Sequence, residues 1–168
     1  MSVVEASKPT RGQSFWLDVV GTVARLGLAA VWLISGGIKA ADPAQTWVAV
    51  HAYRVLPEMG VEVVAAVLPW FELALGVLLV IGVGTRLVAV LSGLVLLAFM
   101  AGVTQAWARG LYIDCGCFGG GGEVEPGATQ YGTELLRDAG FLLLAAWLVV
   151  RPRSLFALDA RLSPEGGS

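Results

Sequence analysis

The chain has 168 residues, of which 57% are hydrophobic and 14% are charged, and its net charge is −2. Soluble domains carry about 25% charged residues, so this composition excludes an ordinary soluble domain. The near-neutral charge provides no basic surface, and we expect no nucleic-acid partner. Four long apolar runs carry the excess hydrophobicity, and runs of this kind predict helices that cross a lipid bilayer.

The apolar runs predict an all-α, polytopic membrane protein built as a four-transmembrane-helix bundle. The spans cover about 15–38, 61–83, 86–108 and 133–150, and they form one transmembrane domain over 15–151. Residues 1–14 and 152–168 are expected to be polar tails. The first run has roughly 24 residues, which is too long for the core of a signal peptide and indicates a retained span.

The loop between the first two spans is expected to form a short helix on the membrane surface. Asp42 can cap such a helix, with Pro43 at its first position. Trp47 and Tyr53 have the amphipathic rings that favour a membrane interface. Imidazole side chains exchange protons near neutral pH, so His51 is a candidate for proton transfer, although a histidine at such a position is more often only solvated.

The distribution of lysine and arginine predicts the orientation, because these residues favour the cytoplasmic side of a membrane. One side of the four-span arrangement carries six of them, Lys8, Arg11, Arg86, Arg151, Arg153 and Arg161, and the other carries three, Lys39, Arg54 and Arg109. We therefore expect both termini in the cytoplasm. The loop over 109–132 then faces outward, where a disulfide can form and persist.

The outward loop contains both cysteines of the chain, Cys115 and Cys117, with only Gly116 between them. Their α-carbons are about 5.5–7 Å apart, and a disulfide needs about 4.4–6.8 Å, so the bond can form but closes a tight ring. A strained, exposed disulfide tends to be labile or catalytic, which favours a redox pair. The alternatives are a structural disulfide and half of a metal site. Zinc needs four ligands, and we expect no metal.

The residues around the cysteines lead to two further expectations. Asp114 precedes Cys115, and its negative charge disfavours a thiolate there, so we predict that Cys117 is the attacking thiol. The glycine run over 119–122 is not followed by the Lys-Ser or Lys-Thr pair of a phosphate-binding loop. We interpret the run as a flexible segment.

Charged residues inside the spans form a second group of interest, because such residues are costly and usually face the bundle interior in pairs. Arg25 lies about 10 Å and Glu72 about 15 Å from the same membrane face, so we predict that they pair between the first two spans. Arg137 and Asp138 lie in the outer turns of the fourth span, near the cysteine loop. Such pairs either hold helices together or form a buried quinone site or proton path.

Several motifs carry a family resemblance: Arg25-x-Gly27, Ser35-Gly36-Gly37-x-Lys39, Tyr53-Arg54-x-Leu56-Pro57, Pro69-x-x-Glu72-x-x-x-Gly76, Arg109-Gly110 and Asp114-Cys115-Gly116-Cys117-Phe118-Gly119. With these motifs the chain resembles the DoxX-like membrane proteins, and more closely their branch named for the methylamine-utilisation protein MauE. The resemblance runs from about 21 to 151. The Cys-Gly-Cys-Phe-Gly segment is its most specific part.

The resemblance implies a four-helix membrane bundle that performs thiol redox chemistry with a thioredoxin-like partner outside the membrane. The layout is also similar to DsbB and vitamin K epoxide reductase, which pass electrons from thiols to quinone. Cys115 and Cys117 would be the catalytic pair, with quinone as a possible acceptor. The residues that would support a proton or quinone site are Arg25, Lys39, His51, Tyr53, Glu72, Arg109, Asp114, Arg137 and Asp138. The alternative is a non-enzymatic membrane subunit or maturation factor with a static disulfide.

Overall fold

The protein is mainly helical, as predicted. A computed structural model describes residues 11–152, 154, 155, 157 and 158, with side chains from residue 15 onward. The helices of this part of the chain are α1 (Arg11–Ala41), α2 (Pro43–Ala52), α3 (Glu58–Ile81), α4 (Thr85–Ala108) and α5 (Tyr131–Val150). Two short antiparallel strands, β1 (Ile113–Asp114) and β2 (Gly122–Glu123), form a hairpin in the loop between α4 and α5.

Within the described residues, three helices are long and apolar enough to cross a membrane, namely α1 from Phe15 to Ala41, α3 and α4. They lie where the first three spans are predicted. α5 has 20 residues and coincides with the predicted fourth span, but its first turns carry Glu134, Arg137 and Asp138. α1 begins at Arg11, inside the segment expected to be a tail. The remainder of that tail, and most of the tail expected over 152–168, lie outside the described residues.

The short helix predicted in the first loop is α2, and its N-terminus has the predicted cap. Asp42 accepts a hydrogen bond from the backbone N–H of Gln45 at 3.0 Å, and Pro43 occupies the first turn, where its missing N–H costs nothing. α3 ends at Ile81, and Gly82 caps it with a φ of 74°, in the left-handed region that glycine enters readily. The tight turn that follows makes α3 and α4 neighbours.

Glycines bring α1 and α3 into close contact. A Cβ atom at Gly36 would lie 2.9 Å from the carbonyl oxygen of Pro69 and 3.0 Å from Cβ of Glu72. A Cβ atom at Gly76 would lie 2.7 Å from Cγ of Leu33. Only glycine permits this approach, and the contact sets the register of the two helices. Gly36 is consequently level with Glu72.

The core of the bundle lies between α1, α3, α4 and α5. Its fully buried members include Leu28, Trp32, Leu75, Leu79, Leu96 and Leu148. The indole Nε1 of Trp32 donates a hydrogen bond to Oγ of Ser92 at 2.9 Å, so this buried polar atom has a partner. α1 packs against α3, and α4 packs against α5. This arrangement brings the end of α1, the start of α5 and the α4–α5 loop to the same end of the bundle.

The glycine run after the cysteines is a defined turn, a role different from the expected flexibility. The glycines from Gly119 to Gly122 all have positive φ, between 71° and 104°, which side chains rarely tolerate. The amide of Gln45 donates hydrogen bonds to the carbonyls of Gly120 and Gly121 at 3.0 and 2.8 Å. A Cβ atom at Gly121 would lie 2.5 Å from Cβ of Ala49. The run therefore permits both the backbone shape and close packing on α2.

Candidate thiol site

The two cysteines lie side by side at the end of the bundle. Gly116 between them has a φ of 67°, and this residue turns the chain back toward the helices. The backbone N–H of Cys117 donates a hydrogen bond to Sγ of Cys115 at 3.4 Å. Both residues are free thiols in this structure. Cys115 is half-buried, whereas Cys117 is only 8% exposed.

The thiols of this pair differ in acidity. A hydrogen bond from the Cys117 thiol lowers the pKa of Cys115, although burial alone would raise it. The Arg137 guanidinium also lowers the pKa of Cys115. Nη2 of Arg137 lies 3.7 Å from the Cys115 sulfur. The hydrogen bond to Cys115, together with burial, raises the pKa of Cys117. Cys115 is therefore both the more accessible and the more acidic thiol.

This asymmetry favours Cys115 as the attacking thiol, whereas the prediction from the sequence favoured Cys117. The prediction used only the sequence neighbours, and it took the adjacent Asp114 as the dominant charge near Cys115. In the folded protein, an oxygen of Asp114 accepts a hydrogen bond from the N–H of Gly116 at 3.3 Å. The cation nearest the sulfur, Arg137, comes from α5, 22 residues further along the chain. The positive charge beside the Cys115 sulfur is therefore brought there by the fold, and not by the neighbouring residues in the sequence.

Arg137 and Asp138 lie beside the cysteine loop, as predicted from their position in the outer turns of α5. Nη2 of Arg137 lies 3.0 Å from Oδ1 of Asp138, which is buried. The guanidinium group also stacks over the ring of Phe118, at 4.8 Å from its centroid. These contacts fix the direction of the Arg137 side chain, and they hold its charge against the sulfur of Cys115.

A buried charged network lies behind Cys117. Nζ of Lys39 is 3.0 Å from both carboxylate oxygens of Glu72, and their side chains are 9% and 0% exposed. Oγ of Ser35 lies 3.0 Å from Oε2 of Glu72 and 2.8 Å from the carbonyl oxygen of Cys117, and it can donate to one of them at a time. Lys39 also donates to the Cys117 carbonyl at 3.4 Å. The network therefore joins the thiol loop to α1 and α3.

The predicted pairing of Arg25 with Glu72 is wrong, because Glu72 pairs with Lys39. Nη1 of Arg25 instead donates to the carbonyls of Leu79 and Val80 at 2.7 and 3.0 Å. The register of α1 and α3 explains the difference: Gly36 is level with Glu72, and Arg25 lies about 16 Å from Gly36 along the helix. Arg25 belongs to the opposite end of the α1–α3 contact.

Two of the other predicted site residues bind backbone carbonyls, Tyr53 in the cysteine loop and Arg109 in the segment that follows α2. The hydroxyl of Tyr53 donates to the carbonyl of Cys115 at 3.2 Å, and burial raises the pKa of Tyr53, which keeps it a donor. Arg109 donates to the carbonyl of Arg54 and to the side chain of Gln105, both at 3.1 Å. The Tyr53 contact holds the end of α2 against the cysteine loop, and the contact between Arg109 and Arg54 holds it against the end of α4.

His51 occupies a different environment. Its exposed ring stacks on Trp47, with the ring centroids 4.7 Å apart and the planes 11° from parallel. The two residues are four positions apart on α2, so the stacking is a contact within that helix. The position of His51 therefore provides no support for a direct proton transfer at the thiols.

Glu134 is a site residue that the sequence reasoning missed. It is 8% exposed, and its carboxylate, the carboxylate of Asp114 and the sulfur of Cys115 lie within 4.8 Å of one another. The signal was present in the sequence, because Glu134, Arg137 and Asp138 have the i, i+3, i+4 spacing that puts residues on one helix face.

A cavity of about 270 Å³ opens between the loop and the first turns of α5. Its lining includes Asp114, Gln130, Thr133, Glu134 and Arg137. Three of these residues, Asp114, Glu134 and Arg137, also surround the sulfur of Cys115. The more acidic thiol therefore lies at the edge of a polar recess, and the less acidic thiol lies against the bundle.

Fold and site together define a helical, multi-pass membrane protein with a paired-thiol site at one end of its bundle. The chain belongs to the MauE family, because the family model described as methylamine utilisation protein MauE matches residues 17–151. The methylamine utilization protein MauE of Paracoccus denitrificans is 36% identical over 98 residues, which make up 58% of this chain and 53% of that protein. The chain thus spans about half the length of this curated relative. No solved structure matches the chain.

Proposed function

We propose that the protein is a membrane thiol–disulfide oxidoreductase whose Cys115 exchanges disulfides with a thioredoxin-like protein outside the membrane. The observation that carries the proposal is the asymmetry of the thiol pair. An exchanging thiol has to be accessible and acidic, and a second thiol has to lie beside it to resolve the mixed disulfide. Cys115 and Cys117 meet these two requirements, respectively.

The reaction runs through a mixed disulfide at Cys115. A partner thiolate attacks the Cys115 sulfur of the Cys115–Cys117 disulfide, and Cys117 leaves and takes up a proton. The second partner thiolate then attacks the partner sulfur of the mixed disulfide and displaces Cys115. The partner has lost two electrons and gained a disulfide, and the membrane protein has gained a dithiol. In the reverse reaction, the Cys115 thiolate attacks a partner disulfide, and Cys117 then resolves the same mixed disulfide and releases the partner dithiol.

A quinone in the bilayer would be the acceptor that reoxidises the dithiol, taking up two electrons and two protons to become quinol. The support for this step is the buried network of Lys39, Glu72 and Ser35, because ionisable groups inside a span are typical of proton paths. The network contacts the backbone of Cys117 directly. Cys115 and Cys117 are the only cysteines of the chain, so they pass the electrons without a second pair.

A trapping experiment tests the exchange reaction. Cys117→Ser keeps the accessible thiol and removes the resolving one, so it is expected to accumulate a reducible, higher-mass adduct on a non-reducing gel of membranes. Cys115→Ser leaves only the buried thiol and should accumulate at least several-fold less. Mass spectrometry of the adduct should identify a thioredoxin-like protein.

Two results would count against this assignment. A stronger adduct from Cys115→Ser would show that Cys117 exchanges, in spite of its burial. Absence of an adduct from both variants, in cells that contain the partner, would favour the non-enzymatic maturation factor with a static disulfide.

The orientation is a second proposal: α5 is the fourth span, both termini are cytoplasmic, and the thiol loop faces outward. The support is the excess of lysine and arginine on the side of the termini. After mild reduction of intact cells, a membrane-impermeant maleimide is expected to label Cys115. Labelling that requires cell lysis would place the loop in the cytoplasm, where a stable disulfide is rare.

A further inference from the structure

Glu134 has a buried carboxylate beside the exchanging thiol. Its side chain enters the site from the first turn of α5, and the residue is more than nine-tenths buried. Among the residues that the structure describes, Oε2 of Glu134 has no hydrogen-bond partner. A buried carboxylate oxygen without a partner is costly, because it has lost its water and gained nothing in return. A proton shared with a neighbouring group would remove that cost.

The groups around the Cys115 sulfur identify Glu134 as the one suited to hold such a proton. Cys117 donates a hydrogen bond to the sulfur, and Arg137 approaches it from α5. Asp114 is also close to the sulfur, but one of its oxygens accepts a hydrogen bond from the N–H of Gly116. Tyr53 binds the backbone carbonyl of Cys115 and not its sulfur. Asp138 also has a buried oxygen without a partner, but its other oxygen pairs with Arg137 and its charge acts on Cys117. Glu134 is therefore the acid with an unpartnered oxygen that lies against the Cys115 sulfur within the described site.

We propose that Glu134 exchanges a proton with Cys115, holding the proton that the thiol loses when a mixed disulfide forms and returning it when that disulfide breaks. This inference rests on the proposed exchange reaction. In the forming direction, the Cys115 S–H bond breaks and the proton moves to a Glu134 oxygen, while the sulfur bonds to one sulfur of the partner's disulfide and the other partner sulfur leaves as a thiolate. In the breaking direction, a partner thiolate attacks the partner sulfur of the mixed disulfide, and Cys115 leaves with the bonding electrons and takes the proton from Glu134.

The cavity between the loop and α5 gives this exchange a place to occur. Glu134 lines it together with Thr133 and Gln130, so the carboxylate connects the half-buried sulfur with polar surroundings. The guanidinium of Arg137, which also lines the cavity, stabilises whichever of the two neighbours carries the negative charge. The sulfur and the carboxylate therefore form a coupled pair that shares one proton, and such pairs titrate in two macroscopic steps.

The pH profile of Cys115 alkylation tests the proposal. Cys117→Ser serves as the background, because it leaves one thiol and keeps a hydroxyl donor beside it. The rate of iodoacetamide addition to the detergent-solubilised protein, followed by intact mass, should rise with pH in two steps. In the Cys117→Ser, Glu134→Gln double variant, the alkylation rate should rise in one step with a midpoint at lower pH, because the negative charge of Glu134 no longer opposes ionisation of the Cys115 thiol. A shift of about one pH unit would make the reaction about tenfold faster at pH values well below both midpoints.

Matched variants separate this role from a structural one. Glu134→Asp keeps the carboxylate and should keep two steps. Glu123→Gln makes the same charge change on an exposed residue of the same loop and should leave the profile unchanged. Asp114→Asn should also keep two steps, and a single step there would assign the shared proton to Asp114 and overturn the proposal. An unchanged profile in Glu134→Gln would overturn it as well.

The alkylation and trapping experiments distinguish a failure of the proton transfer at Glu134 from a failure of the proposed disulfide exchange. If the profile has two steps that depend on Glu134 but no partner adduct forms, the proton exchange stands and the exchange with a partner fails. If the adduct forms and Glu134→Gln leaves the profile unchanged, the partner reaction stands and Glu134 has no part in the proton transfer.

Discussion

Replacing Glu72 by alanine is expected to lower the free energy of unfolding by about 3–5 kcal/mol, because it leaves the Lys39 ammonium buried without its counter-charge. The two side chains are 9% and 0% exposed, and Nζ of Lys39 lies 3.0 Å from both oxygens of Glu72. Unfolding of the micelle-bound protein by a denaturing detergent, followed by circular dichroism, measures the loss. This loss of stability should exceed the loss caused by breaking an exposed ion pair in the loop.

The chain offers a matched control for this experiment. Glu123 also pairs with an arginine, Arg54, but these side chains are 67% and 55% exposed. Solvent screens such a pair, so Glu123→Ala should cost less than about 1 kcal/mol. Replacing both partners of the buried pair, with Glu72→Leu and Lys39→Met, should recover most of the stability, because no uncompensated charge remains. Additive losses in a Glu72→Ala, Lys39→Ala double variant would contradict a direct interaction.

Gly36→Ala is expected to destabilise the bundle by about 1–3 kcal/mol, the usual cost of overpacking a closely packed contact. The new methyl group would meet the carbonyl oxygen of Pro69 at 2.9 Å, so α1 and α3 would have to separate. Separation would also pull Ser35 and Lys39 away from Glu72. The same detergent titration measures the stability.

The neighbouring glycine provides the control for that helix contact. A Cβ atom at Gly37 would meet nothing within 4 Å. Gly37→Ala should therefore be neutral or stabilising by up to about 1 kcal/mol, since alanine favours a helix more than glycine does. Equal effects of the two substitutions would show that Gly36 is not the point of closest approach between α1 and α3.

Structural features that depend on residues close together in the sequence could be predicted from it. The helices α1, α3 and α4 follow from apolar runs, and the cap of α2 follows from Asp42 and Pro43 at its start. The grouping of Arg137 and Asp138 near the thiols follows from their position at the start of the last run. In each case the decisive information lies within a few residues of the feature, where periodicity and capping rules apply.

Features that depend on the contact between distant segments could not be predicted in the same way. The partner of Glu72 is set by the register of α1 and α3, and that register depends on the close approach at Gly36 and Gly76. The depths estimated from the sequence put Arg25 and Glu72 at similar levels in the membrane. Because a helix rises about 1.5 Å per residue, an error of a few residues in the register of the two helices is enough to change the partner of Glu72. The acidity of Cys115 has the same origin, because Arg137 reaches it from another helix.

The attachment of the cysteine loop to the bundle limits how a partner can meet it. The carbonyl of Cys117 is bound by Ser35 and Lys39, and the carbonyls of Gly120 and Gly121 are bound by Gln45 on α2. A loop held at these points cannot extend as a swinging arm into the surrounding solution. The sulfur of Cys115 is held at a fixed position relative to the helices, so any partner has to move toward it. A partner anchored in the same membrane would search for it in two dimensions, at an encounter rate set by its own tether.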